Sequence, residues 1–318
     1  MTLRRAFRVI IKVFTILLLF IIAASVYFYQ GLSKLNKNTE LNDYNSVRNS
    51  VETEESQNNS QSINILALGV DIGTPGAKSE KDPKRTDTMM LMHYNAETKE
   101  VQVISIPRDT LIKINGKNAK INAAHAVGGV SASIEAVEEL LDIKINYYGK
   151  VNYEGFRKII DSIGGVDIKI NNNMDYDDFE QDLHIHFKKD EIVHLDGEKA
   201  EEFFRWRKNN NGTGLLEGDI GRIENQHYLI SEVIDKVKNP WIIPRIPGIL
   251  MTLPKYSETN MTPDEIIKYG FSFVKASNIE MVTLKGHDKF IKGISYFIYD
   301  ENYNKKIMDK IRNKTGVF

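Results

Sequence analysis

The sequence predicts an α/β (mixed α+β) fold: one extracytoplasmic domain with a central, mostly mixed sheet flanked by helices, preceded by a single N-terminal transmembrane helix. Three observations carry this reading. From Ile63 onward, short apolar runs of strand type interleave with stretches of helical apolar spacing. Near the N-terminus lies an apolar run of about 20 residues, long enough to cross roughly 30 Å of hydrocarbon as a helix. Finally, 42% apolar and 27% charged residues over a length of 318 is the composition of a chain with a sizeable core, well away from the disordered regime.

The 42 Lys+Arg and 43 Asp+Glu leave a net charge of −1, so no overall basic field exists to bind nucleic acid. The balance hides an asymmetry. Residues 1 to 31 carry Arg4, Arg5, Arg8 and Lys12 and no acid, which leaves the remainder mildly acidic. The absence of cysteine excludes disulfides, thiolate zinc sites, iron–sulfur clusters and thiol catalysis together.

Residues 1–8 read as a basic cytoplasmic tail and 9–29 as the membrane anchor, with Tyr27, Phe28 and Tyr29 as an aromatic belt at its far end. Bases on one side only place Met1 in the cytoplasm and everything after Gly31 outside. The apolar run exceeds a usual signal-peptide core, so retention is expected over cleavage. Residues 30–62, rich in Asn, Ser, Glu and Gln, form a flexible tether, and 63–318 the folded domain.

Within that domain, Ile63–Val70 is a short apolar run of a strand covered on both faces. Strands over 88–94 and 101–106 follow, separated by the turn-like Asn95–Thr98. Residues 131–141 have helical spacing, and 147–151 are strand-like. Asn152 is a natural N-cap for a helix that stops at Gly164–Gly165, before a strand over 166–170. Asp196 caps a helix ending near Phe204, and Asp219 starts one running to about Lys238, with Ile223, Ile230, Ile234 and Val237 on its apolar face. Thr262-Pro263-Asp264-Glu265 is a compact helix start. Late strands over 279–284 and 294–299 precede a charged C-terminal helix, and residues 212–218 read as a flexible surface loop.

Charged side chains fall where these elements end. Asp71 follows the first strand, Arg85 and Asp87 precede the second, and Arg108 and Asp109 follow the third, so all five are expected at one sheet edge. Taken singly, each is also what a solvated loop would carry. In an extended Arg205-Trp206-Arg207 both guanidiniums lie on one side. Arg222 and Gln226 share a helix face near the positive N-terminus, where arginine is unfavourable unless an anion sits there. A helix start with bidentate arginines is a phosphate site, and carboxylates beside it call for a hard divalent cation. Pairing of these arginines with nearby glutamates is the competing reading. His184 and His186 face the same side of a strand, but without a third ligand in register they make a weak metal site. Gly128-Gly129 and Gly164-Gly165 read as turns. The sequence has no G-x-S-x-G, H-E-x-x-H, Walker A or Rossmann pattern.

The segments Leu66–Asp71 (LALGVD), Arg85–Met90 (RTDTMM), Ser105–Thr110 (SIPRDT), Lys120–Ala124 (KINAA), Gly164–Val166 (GGV), Arg205–Arg207 (RWR) and Asp219–Arg222 (DIGR), in this order behind one anchor, resemble the LytR-CpsA-Psr family of Gram-positive cell-wall enzymes. The resemblance covers about residues 63 to 238. It implies a magnesium- (or manganese-) dependent phosphotransferase that moves an anionic glycopolymer, of wall teichoic acid or capsule type, from a polyprenyl pyrophosphate carrier to peptidoglycan. The implied partners are that lipid-linked polymer, peptidoglycan and the cell membrane. It also implies an apolar isoprenoid pocket between sheet and helices. Carried over by position, Asp71 and Asp87 are the metal-associated carboxylates. Arg85, Arg108, Lys120, Arg205, Arg207, Arg222 and Gln226 contact the pyrophosphate, and Arg108, Asp109 and Asp219 occupy catalytic positions. Asn225 stands where the family often has a second arginine, and the 207–219 stretch is longer than usual. The alternatives are a pyrophosphatase using water as acceptor, or a non-catalytic, membrane-anchored lipid-binding regulator.

Overall fold

The structure, a computed structural model, describes residues 29–30, 62–70, 85–214, 219–246, 248–249 and 256–312. The expected anchor and tether lie outside the described residues apart from Tyr29, Gln30 and Ser62, and so does Asp71. Among the described residues no helix is long and apolar enough to cross a membrane.

The central sheet is built from β1 (Ile63–Val70), β2 (Thr86–Asn95), β3 (Glu100–Ser105), β6 (Tyr147–Asn152), β11 (Ser257–Thr259) and β12 (Asn278–Thr283), in the order β11-β6-β1-β2-β3-β12. It is mixed. β1 runs antiparallel to β2 and parallel to β6, while β3 is antiparallel to β2 and parallel to β12. Asp87 is therefore the second residue of β2 rather than the residue before the strand, because the pairing with β1 extends to Thr86 opposite Val70.

The pleat sorts side chains to two faces. Leu66, Leu68, Met89, Leu91 and Ile104 bury on one face against Val130, Ile134 and Val137 of α1 (Ala123–Leu141) and Met308 and Ile311 of α6 (Glu301–Arg312). On the other face, Met90, Val101 and Val103 pack with Ile230 of α4 (Asp219–Lys238) and Phe273 of α5 (Pro263–Val274). α1 begins before the expected Ser131 because it has two pieces joined at Gly128–Gly129, where Gly129 takes φ 65.

A second core lies between α2 (Tyr153–Ile163), α3 (Gly197–Arg205) and α4 and two small antiparallel pairs. These pairs are β7 (Val166–Lys169) with β10 (Ile192–Leu195) and β8 (Met174–Asp178) with β9 (Leu183–Phe187). Hairpins β4 (Leu111–Ile114) with β5 (Lys117–Lys120), and β13 (Gly286–Ile291) with β14 (Ile294–Tyr299), complete the described sheets.

The expected caps form. Asn152 accepts from Gly155 N, Asp196 from Lys199 N, and Thr262 with Glu265 makes a reciprocal capping box. α2 stops at Gly164 and Gly165, at φ 82 and 66, and Lys236 of α4 donates to both carbonyls. The described part of the expected flexible loop is pinned: Lys208 and Gly214 form a β-bridge, and Asn209 N donates to Thr213 O at 2.6 Å.

Candidate functional site

β2 begins at the sheet edge where β1, β3 and β6 end, because β2 is antiparallel to β1 and β3, and β6 is parallel to β1. That geometry brings Asp87, Arg108 in the turn after β3, and Tyr153 at the start of α2 together. Arg108 Nη1 donates to Asp87 Oδ1 at 2.5 Å, and Tyr153 OH to Asp87 Oδ2 at 3.0 Å. Arg222 of α4, itself buried, donates from Nη2 to the Asp87 carbonyl at 3.1 Å.

Arg205 closes α3 and Trp206 caps it in an extended conformation. The fully buried Trp206 indole anchors the turn through Nε1–H to Asn209 Oδ1 at 3.1 Å, so Arg205 and Arg207 both reach one cavity. Arg205 stacks over the Tyr153 ring at 4.7 Å, pairs with Glu201 at 2.9 Å and donates to Gln181. Burial, followed by the neighbouring Asp87 charge, pushes the Tyr153 phenol well above its ordinary range, so it remains a donor. Gln226 Nε2 donates to the Phe204 carbonyl at 3.4 Å, which orients it beside Arg222.

The resulting cavity, about 190 Å³, is lined by Arg108, Arg205, Arg207, Arg222 and Lys208 against only Asp87 and Asp178, with Tyr153, Tyr176, Gln181, Leu183, Phe204 and Gln226 completing the wall. A concave site with that excess of guanidinium suits a compact polyanion with several oxygens.

Of the residues singled out in the sequence, Asp87, Arg108, Arg205, Arg207, Arg222 and Gln226 meet here. Arg85 is exposed at the start of β2 and does not line the cavity. Lys120 and Asp109 pair with each other at 3.0 Å between β5 and the turn after β3, away from it. Asp71 and the Asp219 side chain lie outside the described residues. Asn225 is buried, with its Nδ2 lacking a hydrogen-bond partner.

Tyr153 and the β8–β9 residues Tyr176, Asp178, Gln181 and Leu183 were not anticipated. Tyr153 is marked only by following the N-cap of α2, and the hairpin residues by no local signal. A small cavity of about 10 Å³, lined by Asp87, Arg108, Arg222 and Gln226 together with Met89, Ile106 and Ile223, adjoins the arginine site between β2, β3 and α4. A hydrogen bond of 2.7 Å between Ser105 Oγ and His227 Nε2 ties β3 to α4 beside it.

A mixed sheet whose strand ends present an arginine-lined anion site beside a partly buried carboxylate defines a class: the LytR_cpsA_psr family pattern matches residues 25–313, and the chain belongs to that family. It is 32% identical over 318 residues, 98% of both chains, to the Bacillus anthracis polyisoprenyl-teichoic acid–peptidoglycan teichoic acid transferase TagU. Its structure resembles Streptococcus agalactiae gbs0355 (TM-score 0.69, 26% identity, 80% of this chain and 88% of that one). It also resembles Bacillus subtilis TagT bound to LIIa-WTA (TM-score 0.65, 25% identity, 81% and 92%).

Proposed function

We propose that this chain is a membrane-anchored phosphotransferase, a transferase of phosphorus-containing groups, that moves an anionic glycopolymer from a polyprenyl pyrophosphate carrier to peptidoglycan. The observation that carries this reading is the convergence of Arg108, Arg205, Arg207 and Arg222 on one cavity around Asp87. A relative across 98% of the chain is named for teichoic acid transfer to peptidoglycan.

The acceptor hydroxyl attacks the polymer-bearing phosphorus. One P–O bond forms there, the bond to the bridging anhydride oxygen breaks, and polyprenyl phosphate leaves. The four guanidiniums hold the pyrophosphate oxygens and stabilise the charge gathering on the leaving phosphate. Asp109, which pairs with Lys120, and Asp219, at the start of α4, are the two candidates to take the proton of the acceptor hydroxyl.

The resemblance and the carboxylate of Asp87 assign magnesium or manganese to this side of the cavity. Asp87 is a hard oxygen donor lining the cavity, and it would hold the ion together with Asp71 and phosphate oxygens. A bound ion would supply charge neutralisation at the pyrophosphate. Tyr153 and Arg108 fix the Asp87 carboxylate in place.

The test incubates the full-length chain in detergent with lipid-linked glycopolymer, peptidoglycan and magnesium. Polymer-linked peptidoglycan oligomers are expected, lost with chelator and in Asp87→Ala. Release of polymer into water alone would establish the pyrophosphatase alternative, and no turnover at all the regulator.

A further inference from the structure

We propose that the outer face of the β8–β9 hairpin is a separate transition-metal site, in which His184 Nδ1, His186 Nε2 and Asp177 Oδ1 ligate an ion of the zinc(II) class. Alternation along β9 puts both imidazoles on the face opposite Leu183 and Ile185. Antiparallel pairing sets Asp177 opposite His184 and Asp175 opposite His186, so the third ligand comes from the neighbouring strand. The three ligand atoms lie within 4.8 Å of one another. Asp177 Oδ1 is 2.6 Å from His184 Nδ1 and 3.3 Å from His186 Nε2. Ligands about 2.0–2.2 Å from a tetrahedral ion stand roughly 3.3–3.6 Å apart, so the Asp177–His184 pair has to open by about an ångström while the Asp177–His186 pair is already near that spacing.

Each ligand is also held from behind. Asp175 Oδ1 accepts from His186 Nδ1 at 2.9 Å, which leaves Nε2 as the lone-pair nitrogen facing Asp177. This is the carboxylate–histidine arrangement that orients metal-bound imidazoles. Asp182 Oδ1 stands 3.5 Å from His184 Nε2, ready to take that N–H when Nδ1 ligates. Asn210 grips Asp177 twice, donating to Oδ2 at 3.1 Å and accepting from its backbone N at 3.0 Å. The Phe179 ring meets the His184 ring edge-on at 5.5 Å.

Two imidazoles and one carboxylate favour zinc, nickel or copper over magnesium or calcium, and water completes the shell. Binding displaces the proton that His184 shares with Asp177, so affinity falls as pH falls. Tyr176, Asp178 and Leu183, on the opposite face of the same strands, line the arginine cavity, so the ion would brace that cavity's wall from outside. His194 and Asp167, paired at 2.8 Å across β7–β10, belong to no such three-ligand group among the described residues and serve as the internal control.

The experiment titrates cobalt(II), then zinc(II), into the full-length chain in detergent, following visible absorption and circular dichroism. Expected is one cobalt(II) per chain with the intense visible bands of four-coordination, displaced by zinc(II), lost in His184→Gln and His186→Gln and kept in His194→Gln. Asp175→Asn should bind about 10–100-fold more weakly. No such bands in the parent would overturn the proposal. So would equal bands in the two histidine variants, or, should those misfold, parental affinity in a folded Asp175→Asn. Glycopolymer transfer plays no part in the readout, so the two readings fail separately.

Discussion

Arg108 Nη1 closes on Asp87 Oδ1 at 2.5 Å, joining the turn after β3 to the start of β2 with both side chains one-fifth exposed. Were this only a structural ion pair near the surface, its loss would change stability by about 0–1 kcal/mol and activity hardly at all. As a phosphate clamp, Arg108 needs its planar fork. Arg108→Lys and Arg207→Lys keep the charge and lose the fork, so turnover should drop on the order of 10²-fold with melting nearly unchanged. Turnover and thermal melting measured together decide the matter, and activity lost only in proportion to unfolding removes both residues from the site.

Tyr153 donates to the other Asp87 oxygen while its ring underlies Arg205. Tyr153→Phe removes the donor and keeps the ring, and should cost about 1.5–3 kcal/mol of stability, as expected for a hydrogen bond to a charged group. As a positioning residue, Tyr153 should also show itself in the magnesium concentration for half-maximal turnover, which rises in the variant. A purely structural tyrosine would lower the melting point and leave that concentration in place.

The proposed orientation, with Met1 in the cytoplasm, rests on Arg4, Arg5, Arg8 and Lys12 lying at one end of the apolar span. A periplasm-type enzymatic reporter fused after Phe318 should be active only outside the cell. Activity of a cytoplasmic reporter at that terminus would reverse the topology and with it the proposed substrate.

Elements with local chemical signals were legible. Asn152, Asp196 and Thr262 cap as their residue types dictate, and the buried strand Ile63–Val70 begins and ends where its apolar run does. The strand over 294–299 was expected and forms β14, but its partner and the β4–β5 hairpin were missed although both turns are marked. Asn115-Gly116 takes φ 50 and 74, and Lys292-Gly293 takes φ 51 and 81, the left-handed pair of a tight two-residue hairpin turn. The arginines and Asp87 were legible as a set because strand ends and a helix start are readable one at a time. Tyr153 and the β8–β9 wall were not, because their place depends on which strands become neighbours. The same limit hid Asp177, the partner of His184, seven residues away and on another strand.

Two groups, buried His93 and partly buried Glu202, shift the pH dependence of stability in opposite directions. Burial pulls His93, bonded through Nδ1 to Asn64 Oδ1 at 2.8 Å, down from 6.5 to about 4. Between those values the unfolded chain binds the proton more readily, so the stability His93 contributes is complete above 6.5 and drains away as pH falls to about 4, by up to about 3 kcal/mol. His227, also lowered by burial, acts in the same direction. Glu202 acts in the opposite one. Burial, then the charge of Glu198, pushes it up from 4.5 to about 7, so its contribution is present below 4.5 and is lost as pH rises towards 7. Being only partly buried, Glu202 is screened by solvent and should be the smaller effect. The parent should therefore gain stability modestly from pH 4.5 to 6.5. Glu202→Gln should steepen that rise, and His93→Gln should flatten or invert it. Thermal melts of the three proteins across this range check the signs, and parallel curves would show that neither group titrates as its surroundings dictate.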